Sequence, residues 1–394
     1  VGEMMGVDLS LTGDMNMKMF ETSVLFFTVV MLTIPSAILA ADGLDTPTYR
    51  ELFDMILPEA RMARFHNVFS FVPFARRIEE AGVEPDVPFL RNVATTGDGY
   101  DSLLAWLLLA RGCTDTMKTL YPAAAAHLRE PIVLFAAPRD VRTIASEMLD
   151  NLHSPQVRLG AAGLLGLVGN RDSLIELRNR LEQTTEPLVR ATMKKAIAAI
   201  EAKLQSVPEP ERDEWDAQEL CFAAALSVGS GSAAGIRVDR GAASAINAGF
   251  SFTIPFLRAK MEVGGILSAK ENMLAVALAG EQKAADLIAD IAALLEKDQI
   301  RTGFAVAYLA KIANEAAFQV IAEQIKPGET KQNLHIARTL SNWPTEATAA
   351  FLEKLTKDER YRESWPDFET ELGHARASLK ALENDPDPRS KRFP

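Results

Sequence analysis

The sequence predicts an all-α protein, an α-solenoid in which helix pairs stack in two lobes, with a small irregular insert. Apolar residues recur at helical spacing along almost the whole chain, and glycine and proline fall mostly between the apolar segments. A unit of two helices recurs about every 30–38 residues, which is typical of helical-repeat proteins. At 394 residues the chain is longer than one hydrophobic core usually serves, so two domains or an extended array are expected.

The N-terminal segment has the three parts of a secretory signal. Lys18 precedes an apolar run, Val24–Ala40, and small residues end that run. We expect residues 1–40 to be a leader, with the signal proper at about 17–40, and the rest of the chain to be exported to the periplasm or cell envelope. The alternatives are an uncleaved membrane anchor and a buried core helix. Pro35 and the shortness of the run favour cleavage over an anchor.

The first lobe, residues 41–204, opens with two helix-start signals. Thr46-Pro47 has the pattern of an N-cap followed by proline at the first helical position. Asp101 predicts the N-cap of a second helix, Leu103–Ala110, which is apolar on all sides. A helix without a polar face is expected at the centre of a core.

From Asp140 onward the first lobe becomes repetitive. A helix is predicted to begin at Asp140, and Ser154-Pro155 predicts the cap of the next one. The dipeptides Val157-Arg158 and Val189-Arg190 are separated by about 32 residues, and each opens an apolar helix. Two helices per repeat therefore predict stacked pairs over residues 140–204, the clearest repeats in the chain.

This pattern resembles a known family. The order Val-Arg-x-x-Ala-Ala-x-x-Leu-Gly-x-x-Gly, followed by a polar turn and a leucine-rich helix, is similar to the short HEAT repeats related to phycobilisome lyases. The resemblance covers about 60 residues and implies a repeat architecture, but such repeats serve as adaptors in many settings. Arg158 and Arg190 are expected to stack along the array and to bond helix ends in the next repeat. The match lies at Val157, Arg158, Ala161, Ala162, Leu165, Gly166 and Gly169, and the second copy keeps Val189, Arg190 and Ala191.

Two segments differ from this pattern. Residues 205–218 hold two prolines and a run of acids, which predicts a solvated linker between the lobes and disfavours a packed helix. The second lobe, residues 219–383, opens with a glycine- and serine-rich stretch from Val228 to Gly265. Its alternating residues, as in Phe250–Ile254, predict a small hairpin or an irregular loop.

Helical spacing resumes after the insert and continues to the tail. Residues 384–394 hold three prolines and mixed charge, and we expect them to be disordered. The predicted helices are Met273–Ala279, Lys283–Leu295, Ile300–Ala313, Ala317–Ile325, Asn333–Leu340, Ala347–Leu355 and Phe368–Leu382.

Charge and motifs exclude several classes of function. A net charge of −11 argues against a nucleic-acid partner, because phosphate binding needs a basic face.

No pattern of zinc ligands occurs, so we predict no metal and no cofactor. The stretch from Gly229 to Gly235 has one residue too many for a dinucleotide-binding turn and is expected to be a loop. The histidines are scattered at His66, His127, His153, His335 and His374.

The two cysteines leave two alternatives open. Cys113 and Cys221 are interpreted as buried free thiols, or as a disulfide if the chain is exported to an oxidising compartment. No serine-hydrolase or phosphate-loop motif is present, and we predict no catalytic residue.

One aromatic cluster is the candidate for partner binding. Phe65, Phe69, Phe71 and Phe74 lie within ten residues. They either pack in the core or, where they are exposed, bind a partner.

We expect a non-enzymatic scaffold in the periplasm or cell envelope that binds a protein or peptide. The alternatives are a membrane-anchored structural protein, which would contact a membrane only through a retained N-terminal segment, and an enzyme of unrecognised, lyase-like class. Convergent polar groups in one pocket would favour the enzyme, and a shallow groove would count against it.

Overall fold

The structure is a computed structural model, and the residues that it describes are all-α. It describes residues 47–62, 67–113, 115–116, 132–150, 153–229, 238–262 and 268–383. No strand occurs in these ranges, which confirms the predicted fold class. The predicted signal at Val24–Ala40, the tail at 384–394 and Phe65 lie outside the described residues.

The described chain contains α-helices separated by short connections. Four 3-10 helices, Ile132–Phe135, Glu209–Glu211, Ala285–Leu287 and Glu359–Ser364, lie between them. The α-helices are α1 Tyr49–Arg61, α2 Val68–Glu80, α3 Val87–Thr96, α4 Gly99–Gly112, α5 Pro138–Met148, α6 Pro155–Val168, α7 Arg171–Gln183, α8 Pro187–Ser206, α9 Arg212–Gly229, α10 Val238–Asn247, α11 Ile254–Glu262, α12 Ser268–Glu281, α13 Ile288–Glu296, α14 Thr302–Ile312, α15 Glu315–Gln324, α16 Thr330–Ser341, α17 Glu346–Leu355 and α18 Trp365–Glu383.

Contacts between α-carbons divide the chain into two units, with the division inside α1 between Met55 and Ile56. In the first unit, a capping box begins α1. The backbone N–H of Thr48 donates to the Glu51 carboxylate at 2.7 Å, and the Thr48 hydroxyl accepts from the Glu51 N–H at 3.3 Å. The helix therefore begins two residues later than the predicted Thr46-Pro47 start.

In the second unit, helices pack on their next-but-one neighbours. In one series α10, α12, α14, α16 and α18 each contact the next member, and α11, α13 and α15 form a second series. Successive helices also pair across the two series, as α13 does with α14. The HEAT-like region repeats this arrangement, because α6 packs against α8 and α5 against α7. Such contacts are typical of stacked helix pairs.

Helix α4 has the central position predicted for the all-apolar helix. Leu104, Leu107 and Leu109 are fully buried, and both α2 and α3 pack against α4. The cap differs from the prediction, because Asp98 accepts from the backbone N–H groups at the helix start. Asp101 instead lies in the first turn and binds Arg61 at 2.7 Å. Both acids fit the positive end of the helix, so sequence alone did not separate their roles.

Helix starts and ends in the repetitive regions agree well with the predictions. Ser154 caps α6 by accepting from the Val157 N–H at 3.3 Å, as predicted. Each helix predicted between Met273 and Leu382 is present, with ends displaced by a few residues. Long segments with clear apolar periodicity are the ones that a sequence defines best.

The prediction of a non-helical linker at 205–218 is wrong for its second part. Helix α8 runs to Ser206, and α9 already begins at Arg212. Acids in the first turn of α9 are favoured by the helix dipole, so their density is not a sign of a solvated tether. Helix α9 packs on α5 and α6 and also on α10 and α12, which connects the two regions that the linker was expected to separate.

The predicted irregular insert is mostly helical where the structure describes it. Residues 230–237 and 263–267 lie outside the described ranges, and α10 and α11 occupy most of the remainder. Residues 248–253 between these two helices form a turn and an extended stretch and no strand. Glycine serves close packing here, since a Cβ on Gly241 would lie 2.1 Å from the Ala225 carbonyl oxygen on α9. The extended stretch before α11 is held by Gln282, whose side chain bonds both the N–H and the carbonyl of Phe252.

Candidate functional site

The aromatic cluster contributes mainly to the core. Phe69 and Phe71 are buried, and Phe74 is half-buried. Phe69 packs edge-on against Phe135 with ring centroids 5.2 Å apart, and Phe71 stacks on Tyr100 at 6.2 Å. Phe69 and Phe71 therefore offer no surface to a partner.

Arg158 links two helix pairs. Its buried guanidinium on α6 binds the carboxylate of Glu186, the N-cap residue of α8. A hydrogen bond from its own backbone N–H, together with Arg158, lowers the pKa of Glu186. The contact lies at a helix end of the following pair, which is the geometry expected for this arginine.

Arg190 acts within its own pair. It donates to the carbonyl oxygens of Leu181 at 2.6 Å and Thr184 at 2.8 Å, at the C-terminal end of α7. A cation is favourable at that end, because the last carbonyls of a helix have no partner within the helix. Arg190 therefore differs from the expected contact with the next repeat.

A cluster of charges joins α9 to the HEAT-like pairs, and we name it the α9 junction. It consists of Arg142 on α5, Lys203 on α8, and Asp213 and Asp216 on α9. Asp216 is only 2% exposed, yet both of its carboxylate oxygens are paired. One accepts from Arg142 at 2.8 Å and the other accepts from Lys203.

The C-terminal end of α6 completes the junction. Arg142 donates to the Val168 carbonyl at 3.0 Å, and Lys203 donates to the Leu167 carbonyl at 3.2 Å. Burial raises the pKa of Asp216 and lowers the pKa of Lys203, and the opposite charge of each partner counteracts this. The arrangement satisfies the buried charges of Asp216 and Lys203 with protein groups, so this part of the junction is a structural contact.

An open groove follows α7, and Arg142 lines part of it. It consists of two cavities of about 360 and 340 Å³, which adjoin because they share Asp172 and Glu176. We name it the α7 groove. The first cavity is lined by Asp172, Ile175, Glu176, Asn179, Arg180 and Gln183, and the second adds Arg139, Arg142, Thr143, Ser146, Asn170 and Ser173.

The groove offers hydrogen-bonding groups and one apolar contact. Ile175 is 58% exposed and supplies the apolar contact. Arg180 binds Glu176 at 3.5 Å and also donates to the Leu149 carbonyl. The lining combines scattered amides, hydroxyls and charges along a helix, and no histidine or cysteine is among them.

The sequence prediction did not identify this groove, although one signal was available. Leu174, Leu177 and Leu181 define the buried side of α7, and Ile175 falls outside that pattern. An aliphatic residue off the core stripe indicates an exposed apolar contact. The second cavity also needs residues of α5, and no pattern local to α7 predicts that.

No metal site is found among the described residues. In those ranges, no group of three or more His, Cys, Asp or Glu side chains could hold an ion. His153 is half-buried, and His335 and His374 are exposed and far apart in the chain. His66 and His127 lie outside the described residues.

Cys113 and Cys221 are both free thiols in the structure, and burial raises the pKa of each. Cys221 is buried and Cys113 half-buried. Of the two alternatives left by the sequence, the structure therefore has free thiols. Among the described helices, none combines the length and the apolar character that a membrane span requires.

Neither a family model, nor a curated protein, nor a solved structure matches this chain. The HEAT-like resemblance therefore stays a prediction, and function has to be argued from the chain's own geometry.

Proposed function

We propose that this chain is an exported helical-repeat scaffold that binds a protein or peptide partner in the periplasm or cell envelope, with its helix pairs stacked as an α-solenoid. The observation that carries the proposal is the α7 groove, an open surface groove on α5 and α7 with an exposed isoleucine. Stacked helix pairs present extended surfaces of this kind, and such surfaces suit polypeptide partners.

The same groove argues against an enzyme. Catalysis needs a nucleophile, a base and charge-stabilising groups that meet within hydrogen-bond distance of one reacting atom. The groove residues instead spread over three turns of α7 and the facing side of α5. A surface of this kind supports binding along its length better than chemistry at one point.

Export is proposed on the pattern of Val24–Ala40 and is tested directly. We expect full-length protein expressed in a bacterial host to be recovered from the periplasm with its N-terminus at Ala41 or Asp42. N-terminal sequencing of the purified protein is the measurement. An intact N-terminus in the membrane fraction would support the retained anchor instead.

Partner binding is tested with matched baits in envelope extract. The baits are the mature wild-type chain, Ile175→Asp in the groove, and Leu188→Asp, whose leucine is 73% exposed outside the groove. We expect a partner to be recovered with the wild type and Leu188→Asp and depleted with Ile175→Asp. Circular dichroism establishes that all three baits are equally folded. Enrichment of no protein over an empty resin would overturn the scaffold proposal.

A further inference from the structure

We infer that the HEAT-like helices undock from α9 as one body and that Asp216 is the latch that keeps them docked. We name residues 138–206, which form α5–α8, the HEAT-like lobe, and we name α2–α4 together with α9–α18 the main body. The latch belongs to the fold itself, so it goes beyond the proposed function and is independent of export and of any partner.

The main body packs together without help from the lobe. Helix α2 packs on α10, and the 3-10 helix Ile132–Phe135 packs on both α4 and α9. The Phe250 ring, which follows α10, lies edge-on to the Phe69 ring of α2 with centroids 5.7 Å apart. The Asn67 side chain donates to the Ser244 hydroxyl at 3.1 Å. Residues before and after the lobe in the chain therefore contact each other directly, and the lobe is an insertion between them.

The lobe packs on the main body through α9. Helices α5 and α6 contact α9, and charged side chains bridge the contact. Arg142 of α5 and Lys203 of α8 both bond Asp216, and Arg142 also pairs with the exposed Asp213. Contacts between domains of one chain are more polar than domain cores, and they commonly permit relative motion. The contact between the lobe and α9 has this polar character.

The interior of the lobe is packed more tightly than its contact with α9. Leu165 of α6 and Met193 and Ile200 of α8 are fully buried where these two helices pack. A Cβ on Gly169 would lie 2.4 Å from the Cδ1 atom of Ile200, so the two helices approach as closely as glycine allows. Close apolar packing resists deformation, and we therefore expect the lobe to move as a rigid unit.

The two connections of the lobe supply the pivot. Each contains extended residues between helices, Ala137 before α5 and Val207 and Pro208 after α8. A few such residues at element ends can absorb the backbone rotation of a hinge. Arg212 of α9 donates to the Val207 carbonyl at 3.1 Å and to the Leu204 carbonyl at 3.2 Å. Arg212 thus keeps the end of α8 beside the start of α9 when the rest of the contact opens.

Asp216 is the latch because one group of the main body holds two helices of the lobe. Its side chain is 2% exposed, and its two oxygens accept from Arg142 at 2.8 Å and from Lys203. Burial is the main cause that lowers the pKa of Lys203, and nearby Arg142 adds to it. Without Asp216, Lys203 keeps a buried charge that has lost its bonded carboxylate, beside the like charge of Arg142. Undocking exposes both cations to water, so loss of the carboxylate favours the undocked state.

Spin labels on the mature full chain measure undocking by double electron–electron resonance. The background carries Cys113→Ser and Cys221→Ala, which remove the native thiols. One labelled pair, Ala199→Cys in α8 with Ala289→Cys in α13, spans the lobe and the main body at exposed positions. A second pair, Gln156→Cys in α6 with Ala199→Cys, lies within the lobe and is the control for its integrity.

We expect one main distance for each pair without further substitution. In Asp216→Asn, a longer distance between α8 and α13 should gain at least about tenfold in population, and the distance within the lobe should not change. Lys203→Met leaves Asp216 paired with Arg142, and we expect a gain of about 3- to 10-fold, as for one lost hydrogen bond. Asp213→Asn is the matched control, because this partner of Arg142 is 86% exposed, and it should leave both distances unchanged.

An unchanged distance between α8 and α13 in Asp216→Asn and Lys203→Met would overturn the latch. A changed distance within the lobe would show that the lobe loses its own structure and does not move as one body. Equal gains in Asp213→Asn and Asp216→Asn would also contradict the role of the buried carboxylate. Circular dichroism accompanies each variant, and Lys203→Met alone decides the outcome if Asp216→Asn loses helical content.

Discussion

The α9 junction and the α7 groove both include Arg142, but they differ in how charges are neutralised. In the junction Asp216 and Lys203 are buried and pair with each other. Asp216 also accepts from Arg142, and Lys203 also donates to the Leu167 carbonyl at the end of α6. In the groove Asp172 is exposed and has no ion pair within the described residues. A buried charge needs hydrogen bonds or ion pairs from protein groups, whereas water solvates an exposed charge in the absence of a partner.

Removal of the buried carboxylate gives the largest expected effect. We expect Asp216→Ala to lower the free energy of unfolding by about 3–5 kcal/mol, because Lys203 keeps a buried charge that has lost its partner. Denaturant unfolding followed by circular dichroism measures the change. Asp213→Ala is the matched control, since its side chain is 86% exposed, and we expect a change below about 1 kcal/mol. Similar losses for the two variants would contradict the distinction between buried and exposed charge.

Replacement of both members of the buried pair sharpens the same comparison. We expect Lys203→Met with Asp216→Leu to be more stable than Asp216→Ala by about 2 kcal/mol or more, because no uncompensated charge is left. Arg142 retains Asp213 and the Val168 carbonyl as partners. A loss of stability as large as that of the single variant would show that the pair itself supplies the stabilisation.

The Arg158–Glu186 pair is intermediate, with one buried and one exposed partner. The folded-state pKa of Glu186 is lowered below 4.5, so its stabilising effect is present above pH 4.5 and is lost as pH falls through the folded pKa. We expect Glu186→Gln to be less stable than the wild type at neutral pH by less than Asp216→Ala is. The difference should shrink as the pH falls below 4.5, as measured by denaturant unfolding over a pH series. A difference that is constant with pH would contradict the ionic nature of the contact.

The groove should contribute least to stability. We expect Asp172→Asn to change the free energy of unfolding by less than about 0.5 kcal/mol, because the carboxylate is exposed and has no ion pair with any described residue. Thermal unfolding of the variant beside the wild type measures this. A loss above about 1 kcal/mol would place Asp172 in the structural network and would weaken the case for the groove as a binding surface.

The two regions also differ in how much the sequence revealed. The helices around the groove were predicted from periodicity and capping, since Ser154 begins α6 and the leucines of α7 mark its buried side. The junction was misread, because a run of acids beside prolines has the same composition in a solvated linker and in the first turn of a packed helix. Asp98 and Asp101 show the same ambiguity at α4, where either acid fits the helix start.

The sequence by itself determined the all-α class and the position of most helices, because both depend on residues within one or two turns of each other. It also carried the signal pattern at Val24–Ala40, which stays a prediction. Only the tertiary structure decided which charges are buried. Arg142 donates to Asp216, which lies 74 positions later in the chain, and Asp216 is therefore part of a buried ion pair and not of a solvated linker. Likewise, the second cavity of the groove exists only because α5 packs beside α7, and no local pattern shows that contact.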